Sequence, residues 1–138
     1  VMEYVRGDTL SGLLTRADES AALPLPIGGR ILIDALGGLH AAHELESDDG
    51  QRAELVHRDF SPHNILVGVD GVARLTAFGI AKALRETEAQ TATGVAKGKL
   101  GYMAPEQLRG RQLDRRCDVW AAGVVAWELA ARRRFHDG

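Results

Sequence analysis

Apolar residues along this chain recur mostly at helical spacing, which predicts a mainly helical fold. Leu10, Leu13 and Leu14 share one face of a predicted short helix. Thr9 stands directly before them and can cap the N-terminus of that helix. Residues 17–24 are polar or small, so we expect a loop to follow.

A second helix is predicted to begin at Pro24-Leu25-Pro26, because proline is favoured in the first helical turn. Four glycines between residues 28 and 38 each weaken it by up to ~1 kcal/mol relative to alanine. We therefore expect close helix packing, rather than intrinsic propensity, to hold it. Its apolar face continues to about residue 46 and comprises Ile27, Ile31, Ala35, Leu39 and Ala42.

Strand-forming residues occur in three short runs. Residues 1–5 are β-prone and are expected to end at a turn over residues 6–8. Residues 65–67 and 73–76 are predicted to pair as a hairpin, because Asp70-Gly71 between them favours a tight turn.

The rest of the chain is predicted to form a long loop and a final helix. Residues 83–101 show little apolar periodicity, and loops of this length in compact domains usually have a function. From about residue 114 to 131 the chain is apolar on most sides, which is typical of a central, buried helix.

Composition and charge narrow the class of protein. The 138 residues suffice for one domain, and 45% hydrophobic with 26% charged residues is the balance of a soluble globular protein. Because 17 Lys and Arg face 19 Asp and Glu, we expect no nucleic-acid partner. The single cysteine, Cys117, fits a reducing, cytoplasmic location. The longest apolar run, Val119–Trp127, is far shorter than the ~20 residues of a membrane span.

Short motifs follow one another between residues 56 and 120. Val56–Val67 reads VHRDFSPHNILV, in which an asparagine stands five positions after an aspartate and an apolar strand follows. Ala77–Gly79 then reads AFG, Gly101–Glu106 reads GYMAPE, and Asp118–Trp120 reads DVW. A lone His-Arg-Asp is a weak signal, but this order with these gaps is specific.

The motifs resemble the C-terminal lobe of a protein kinase, most closely the eukaryotic-like Ser/Thr kinases of bacteria. The resemblance implies an α+β fold, mainly α-helical with a small β-hairpin, and it covers residues 1–138 as a partial kinase domain. It also implies transfer of phosphate from ATP, with Mg2+, to Ser or Thr of a protein substrate. The implied parts are a hinge at 2–8, a catalytic loop at 57–64, an activation segment at 77–106 and a central helix at about 114–131.

The resemblance assigns catalytic roles residue by residue. Asp59 matches the aspartate that accepts the proton of the substrate hydroxyl, and Asn64 matches the asparagine that helps to hold Mg2+. Asp118 matches the aspartate that fixes the catalytic-loop backbone from the central helix. Glu106 matches a glutamate whose arginine partner normally comes much later in the chain. Without that partner, we expect Glu106 to be a destabilising buried carboxylate.

The same resemblance implies where nucleotide and phosphate bind. Arg58 offers a guanidinium that can hold a phosphate on the activation segment, with Thr91 and Thr93 as candidate acceptors. The implied nucleotide-binding residues are Met2 as gatekeeper, Glu3 and Val5 at the adenine edge, Asp8 near the ribose and Leu66 beneath the adenine.

Three positions depart from the kinase pattern. Ala77 stands where the metal-binding aspartate is expected, and alanine offers no oxygen ligand. Ser61 replaces the catalytic-loop lysine, and Lys99 stands where a threonine is expected. Because hydroxyl and ammonium have exchanged places, we hypothesise that Lys99 supplies the missing charge beside Asp59. The alternative is that Lys99 is a solvated loop residue.

These departures leave three interpretations open. The parent domain is a Ser/Thr kinase, and this chain is inactive or impaired because of Ala77 and the missing N-terminal lobe. Alternatively, the chain is a pseudokinase that binds partners or nucleotide without chemistry. A truncated remnant without independent function is favoured by the abrupt start at Val1, with no glycine-rich phosphate loop or strand lysine before it.

Three histidines and a basic run have simpler interpretations. His40 and His43 lie three positions apart, but no Cys, Asp or Glu completes a metal site at the usual spacing, so packing and hydrogen bonding are expected. His57 is expected to pack with Phe78 inside the lobe. The run Arg132–Arg134 is interpreted as complementing a helix C-terminus rather than as a nucleic-acid patch.

Overall fold

The computed structural model describes residues 4–20, 22–47, 50–76 and 99–135. Helices dominate this part of the chain, and a small sheet accompanies them, which confirms the expected α+β class. The elements are α1 (Leu10–Ser20), α2 (Leu25–His43), α3 (Pro105–Leu108), α4 (Arg116–Ala131), a 3-10 turn (Pro62–Asn64), β1 (Gly7–Thr9), β2 (Ile65–Gly68) and β3 (Ala73–Leu75).

The sheet is antiparallel, with strand order β1-β2-β3. Val67 on β2 lies opposite Asp8 on one side and Ala73 on the other. The predicted hairpin between β2 and β3 is confirmed. Its turn contains Gly71, whose φ of +78° lies in the left-handed region that suits glycine. The Gly71 N–H closes the turn by donating to the Gly68 carbonyl at 2.9 Å.

The first strand lies later in the chain than the sequence pattern predicts. Residues 6–8 are expected to form a turn, but the strand is Gly7–Thr9 and residues 4–6 are irregular. Residues 1–3 lie outside the described part of the chain. The strand forms because Thr9 pairs with Leu66 of β2. This partner is far away in sequence, so local propensity does not reveal it.

The cap predicted for α1 is confirmed, but its predicted end is wrong. The Gly12 N–H donates to Thr9 Oγ1 at 3.0 Å. The helix then continues to Ser20, through the start of the loop expected from residue 17. Helix propensity there is modest, and buried contacts of Leu10 with the rest of the core hold the N-terminal turns in place.

Packing holds α2, as its glycines suggest. Gly28 is buried, and Leu129 Cδ2 of α4 lies 3.3 Å from the position that a Cβ would take. The glycine therefore lets the two helices approach closely. The helix begins at the predicted prolines but ends at His43 rather than near residue 46, because Glu46 pairs with Arg52 in a bridge.

α4 crosses the core, but it is not buried on all sides. Val125 is fully buried, whereas Val119 is 62% exposed and Trp120 is 45% exposed. The expected burial therefore holds for one side of the helix and is wrong for the face that bears Val119 and Trp120. Within the described residues, α2 and Tyr102 pack on the opposite side of α4. The long loop predicted over 83–101 lies outside the described residues up to residue 98.

The core is one cluster of apolar side chains from both helices and sheet. The buried core residues are Leu10, Ile31, Ala35, Leu39, Phe60, Ile65, Ala73, Tyr102, Ala121, Ala122, Val124, Val125 and Leu129.

None of the helices in the described part of the chain is long and apolar enough to cross a membrane.

Candidate active site

One buried carboxylate holds the catalytic loop predicted at residues 57–64. Asp118 on α4 is 1% exposed. Its Oδ2 accepts a hydrogen bond from the His57 backbone N–H at 2.8 Å, and its Oδ1 accepts one from the Arg58 N–H at 2.7 Å. The His43 Nε2 lies 2.8 Å from the same Oδ2. Asp118 thus has the anchoring geometry expected of it, and His43 makes a hydrogen bond rather than part of a metal cluster.

His57 is fully buried and makes hydrogen bonds through both ring nitrogens. Its Nε2 lies 2.9 Å from the Thr76 carbonyl, and its Nδ1 accepts from the Asp59 N–H at 3.2 Å. These contacts require the ring proton to be on Nε2. The ring also meets Phe60 edge-on, with centroids 6.4 Å apart. Its predicted partner, Phe78, lies outside the described residues.

Arg58 has a φ of +64°, which is uncommon for a residue other than glycine. Strained positions of this kind persist only where the surrounding structure fixes them. Here Asp118 holds the Arg58 N–H, and the Gln107 Nε2 donates to the Arg58 carbonyl at 3.0 Å. The candidate phosphate acceptors Thr91 and Thr93 lie outside the described residues.

The structure brings Lys99 to Asp59. The Lys99 Nζ lies 2.8 Å from Asp59 Oδ2, and their side chains are 26% and 17% exposed. Ser61 is 1% exposed, and its Oγ has no hydrogen-bond partner within the described residues. The predicted cation beside Asp59 is therefore present in this geometry, whereas the Ser61 hydroxyl takes no part in the contact.

Asn64 closes the catalytic loop on itself. Its Nδ2 donates to the Asp59 carbonyl at 2.7 Å. Its own carbonyl accepts from the Thr76 N–H at 2.8 Å and from Thr76 Oγ1 at 3.1 Å. These bonds tie the loop to the end of β3.

The expected nucleotide residues are only partly within the described chain. Asp8 and Leu66 lie on the adjacent strands β1 and β2, and Val5 is half-buried just before them. The Asp8 carboxylate already accepts from the Thr9 N–H at 2.7 Å and pairs with Arg16. Met2, Glu3 and Ala77 lie outside the described residues.

A second buried carboxylate, Glu128 on α4, belongs to none of the sequence motifs. The Tyr102 OH donates to Glu128 Oε2 at 2.8 Å, and the Phe135 N–H donates to Oε1 at 3.1 Å. The Arg134 Nη1 donates to the Tyr102 oxygen at 2.7 Å. Burial, and next the Glu128 carboxylate, raise the pKa of Tyr102 well above its usual range. The sequence holds one signal for this network: Glu128 is the charged residue that ends the longest apolar run, Val119–Trp127.

His63 is another site residue that the motifs did not single out. It is exposed on the 3-10 turn of the catalytic loop, and its Nε2 lies 3.2 Å from Ser11 Oγ on α1. Desolvation, followed by the charges of Arg134 and Lys99, lowers the pKa of His63 below its usual value.

A family model described as "Protein kinase domain" matches residues 1–137. The chain belongs to the protein kinase family. Asp118, Asp59 and Asn64, with the contacts described above, are therefore residues of a kinase-family chain.

Bacterial kinases are among its relatives. "Tyrosine-protein kinase MasK" of Myxococcus xanthus is 47% identical over 134 residues, which are 96% of this chain and 21% of that protein. "Serine/threonine-protein kinase PknL" of Mycobacterium tuberculosis is 41% identical over 129 residues, 94% of this chain and 29% of that protein. PknA of Corynebacterium glutamicum, also named as a Ser/Thr kinase, is 37% identical over 138 residues, 100% of this chain and 27% of that protein. The kinase-family chain thus spans less than a third of each relative.

Kinases use ATP together with Mg2+, so the oxygen donors of this chain can be compared with the ligands that Mg2+ requires. Asn64 can offer one amide oxygen, and Asp59 is already engaged by Lys99. Mg2+ favours a near-octahedral shell of oxygens that includes carboxylates. Within the described residues, no three His, Cys, Asp or Glu side chains are grouped to hold a metal ion. The described part of this kinase chain therefore does not complete a Mg2+ site.

Glu106 differs from the buried, unpaired carboxylate that we expected. It is half-buried and shares a recess with Arg111 and Arg116. The Arg111 N–H also donates to the Glu106 carbonyl at 2.9 Å. Its partial exposure leaves the carboxylate in contact with solvent, so it is not the fully buried, unpaired charge that would be strongly destabilising.

Proposed function

We propose that this chain is the C-terminal lobe of a bacterial Ser/Thr protein kinase, whose catalytic loop serves transfer of phosphate from ATP to Ser or Thr of a protein substrate. The observation that carries the proposal is the 2.8 Å contact between the Lys99 ammonium and the Asp59 carboxylate. Asp118 pins the loop that bears this carboxylate. Phosphoryl transfer asks a protein mainly to position groups and to neutralise charge, which such a pair can do.

In the proposed reaction, Asp59 accepts the proton of the acceptor hydroxyl. The hydroxyl oxygen forms a bond with the γ-phosphorus of ATP, the bond from that phosphorus to the bridging oxygen breaks, and ADP leaves with the electron pair. Lys99 neutralises negative charge on the transferred group. Because both side chains are largely shielded from solvent, their charges are screened less than on an open surface.

Lys99 is proposed to replace the lysine that the family pattern expects at Ser61. A lysine at position 61 would start from a fully buried site next to Asp59, whereas here that site holds only a small hydroxyl side chain. The ammonium instead reaches Asp59 from Lys99, 40 residues further along the chain. In this proposed exchange, a positive charge remains beside Asp59, but Lys99 supplies it instead of residue 61.

ATP is proposed to bind along the hinge and β2, through Met2, Glu3, Val5, Asp8 and Leu66. The adjacency of Asp8 and Leu66 on neighbouring strands supports this placement. Ala77 offers no oxygen to a metal, so we propose that transfer by the unchanged chain is impaired. Because Ala77 offers no oxygen ligand, a second candidate function is a pseudokinase that binds nucleotide without transferring phosphate.

Transfer of radioactive phosphate from ATP to a Ser/Thr peptide library by the full-length protein tests the proposal. Ala77→Asp restores the missing carboxylate and is expected to raise the rate above that of the unchanged chain. On that background, Asp59→Asn is expected to abolish transfer. Lys99→Thr is expected to lower kcat by roughly one to three orders of magnitude, as for other lost charge-stabilising groups. Lys99→Arg keeps the charge and is the matched control.

The outcomes separate the two candidate functions. If Lys99→Thr and Lys99→Arg transfer phosphate equally fast, Lys99 has no catalytic role. Absence of transfer even with Ala77→Asp would refute the kinase proposal. A melting temperature raised equally by ATP with Mg2+ and by ATP with a chelator would then support the pseudokinase.

A further inference from the structure

Three arginines follow one another directly after α4, and all three are exposed. Arg132 caps the helix with a φ of +55°, a left-handed conformation that turns the chain. The Arg133 guanidinium lies 5.2 Å from the centre of the Trp127 ring. Arg134 donates to the Tyr102 oxygen. Within the described residues, none of the three lies within ion-pair distance of a carboxylate.

Glu128 lies nearby, but its oxygens are already engaged. Tyr102 OH donates to one and the Phe135 N–H donates to the other. Arg134 therefore meets a neutral phenol rather than the carboxylate itself. A guanidinium carries five N–H donors, and the contact with Tyr102 uses one of them. Arg132, Arg133 and Arg134 thus line the same recess as the single carboxylate of Glu128, and further N–H donors of Arg134 remain for a ligand.

The arginines border a recess of about 70 Å³. Apolar side chains of Leu14, Leu23 and Leu129 form much of its other wall. Apolar walls lower the effective dielectric around the guanidinium groups, so a carboxylate placed here is attracted more strongly than on an open surface. Arginine also offers the bidentate geometry that a carboxylate matches.

The recess is close to the proposed acceptor site. The Tyr102 N–H donates to the Lys99 carbonyl at 3.2 Å, so the residue that receives Arg134 belongs to the same turn as the residue that contacts Asp59. The charges of Arg134 and Lys99 also act on the same imidazole, that of His63 in the catalytic loop. These links favour a path for the substrate peptide that runs from Asp59 toward the arginines.

We propose that the recess formed by Arg132, Arg133 and Arg134 binds an acidic segment of the protein substrate, close to the residue that is phosphorylated. The inference deepens the proposed function and rests on it for the identity of the substrate as a protein. Charge complementarity of this kind selects partners and speeds their association. The net charge of the whole chain, -2, makes the local excess of positive charge a distinct feature of this end of α4.

Fluorescence anisotropy with labelled 12-residue peptides tests this inference on the full chain. Each peptide has a central serine flanked by Glu, by Gln or by Lys. The Glu peptide is expected to bind most tightly, and its affinity should fall as salt is raised. Arg134→Gln and Arg133→Gln are each expected to weaken Glu-peptide binding by about fivefold, the size of one exposed charge pair. Arg134→Lys should retain most of the affinity.

Arg109→Gln is the matched control, because Arg109 is an exposed arginine at the end of α3, away from the recess. Equal affinity for the Glu and Gln peptides, or an equal loss with Arg109→Gln, overturns the inference. Tighter binding of a single-stranded oligonucleotide than of the Glu peptide also overturns it, in favour of nucleic acid. Since binding is measured without ATP, a chain that binds the Glu peptide but never transfers phosphate refutes only the proposed function.

Discussion

Replacement of Asp118 by asparagine tests how far the catalytic loop depends on one buried carboxylate. Asp118 accepts two backbone hydrogen bonds, from His57 and Arg58, and a contact from the His43 ring. Asparagine has the same shape but only one oxygen. Its amide group would turn two N–H donors toward a backbone N–H donor, so at least one buried hydrogen bond is lost.

The expected cost follows from the number of bonds removed. A buried donor left without a partner costs about 1–3 kcal/mol, and bonds to a charged acceptor are at the upper end. For Asp118→Asn we expect the free energy of unfolding to fall by about 2–4 kcal/mol. Asp118→Ala removes the acceptor of both backbone N–H groups, of the His43 ring and of the Cys117 thiol, and should cost more. Either loss is a large share of the roughly 5–15 kcal/mol that holds a typical domain folded.

Urea unfolding followed by the fluorescence of Trp120 and Trp127 on α4 measures this cost. Asp114→Asn is the matched control, since Asp114 is exposed just before α4 and pairs with Arg116 on the surface. We expect its unfolding midpoint to stay at that of the unchanged chain. If Asp118→Asn unfolds at the same urea concentration as Asp114→Asn, the loop does not depend on this carboxylate and the reasoning is refuted.

Two further predictions concern single positions in α4 and directly after it. Arg132→Gly should raise the free energy of unfolding by about 0.5–1 kcal/mol, because glycine adopts the φ of +55° without a Cβ penalty. Arg133→Gly is the control, since it loses the contact with Trp127 and should not stabilise the fold. Thermal melts of the two variants measure the difference. Burial, and next the charge of Asp118, raise the pKa of Cys117 to about 12, from about 9 for an unfolded thiol. The folded state holds this proton more tightly, so its stabilising effect is complete below pH 9 and is lost as pH rises toward 12. Urea midpoints should therefore fall more steeply with pH in the unchanged chain than in Cys117→Ala, and parallel curves would contradict this.

The parts of the fold that were predictable depend on residues close together in sequence. The Thr9 cap needs a donor three residues away, and the hairpin turn needs a glycine at position 71. Proline marks the start of α2 because its ring constrains its own backbone. Each of these features is decided by local sterics and local hydrogen bonds, so the pattern of residues was enough to predict it.

The candidate site was partly predictable for a different reason. The motifs named Asp59, Asn64 and Asp118, and the exchange of Ser61 with Lys99 predicted a contact across 40 residues that the structure contains. The contact of His43 with Asp118 and the network of Tyr102, Glu128 and Arg134 were not predicted as such. These pairings form only when α2, α4 and the segment before α3 pack together, so no pattern within one short segment predicts them.

The sequence by itself thus determined the family, the three longer helices in their order, the hairpin, and the motifs that carry the proposed catalytic residues. Tertiary structure decided that residues 7–9 form a strand, that one face of α4 is exposed, and that the Tyr102 hydroxyl joins Arg134 to the buried Glu128 carboxylate. The physical reason is the range of the interactions. Caps, turns and helical periodicity act within a few residues, whereas strand pairing, burial and buried hydrogen-bond networks exist only after distant segments have packed together.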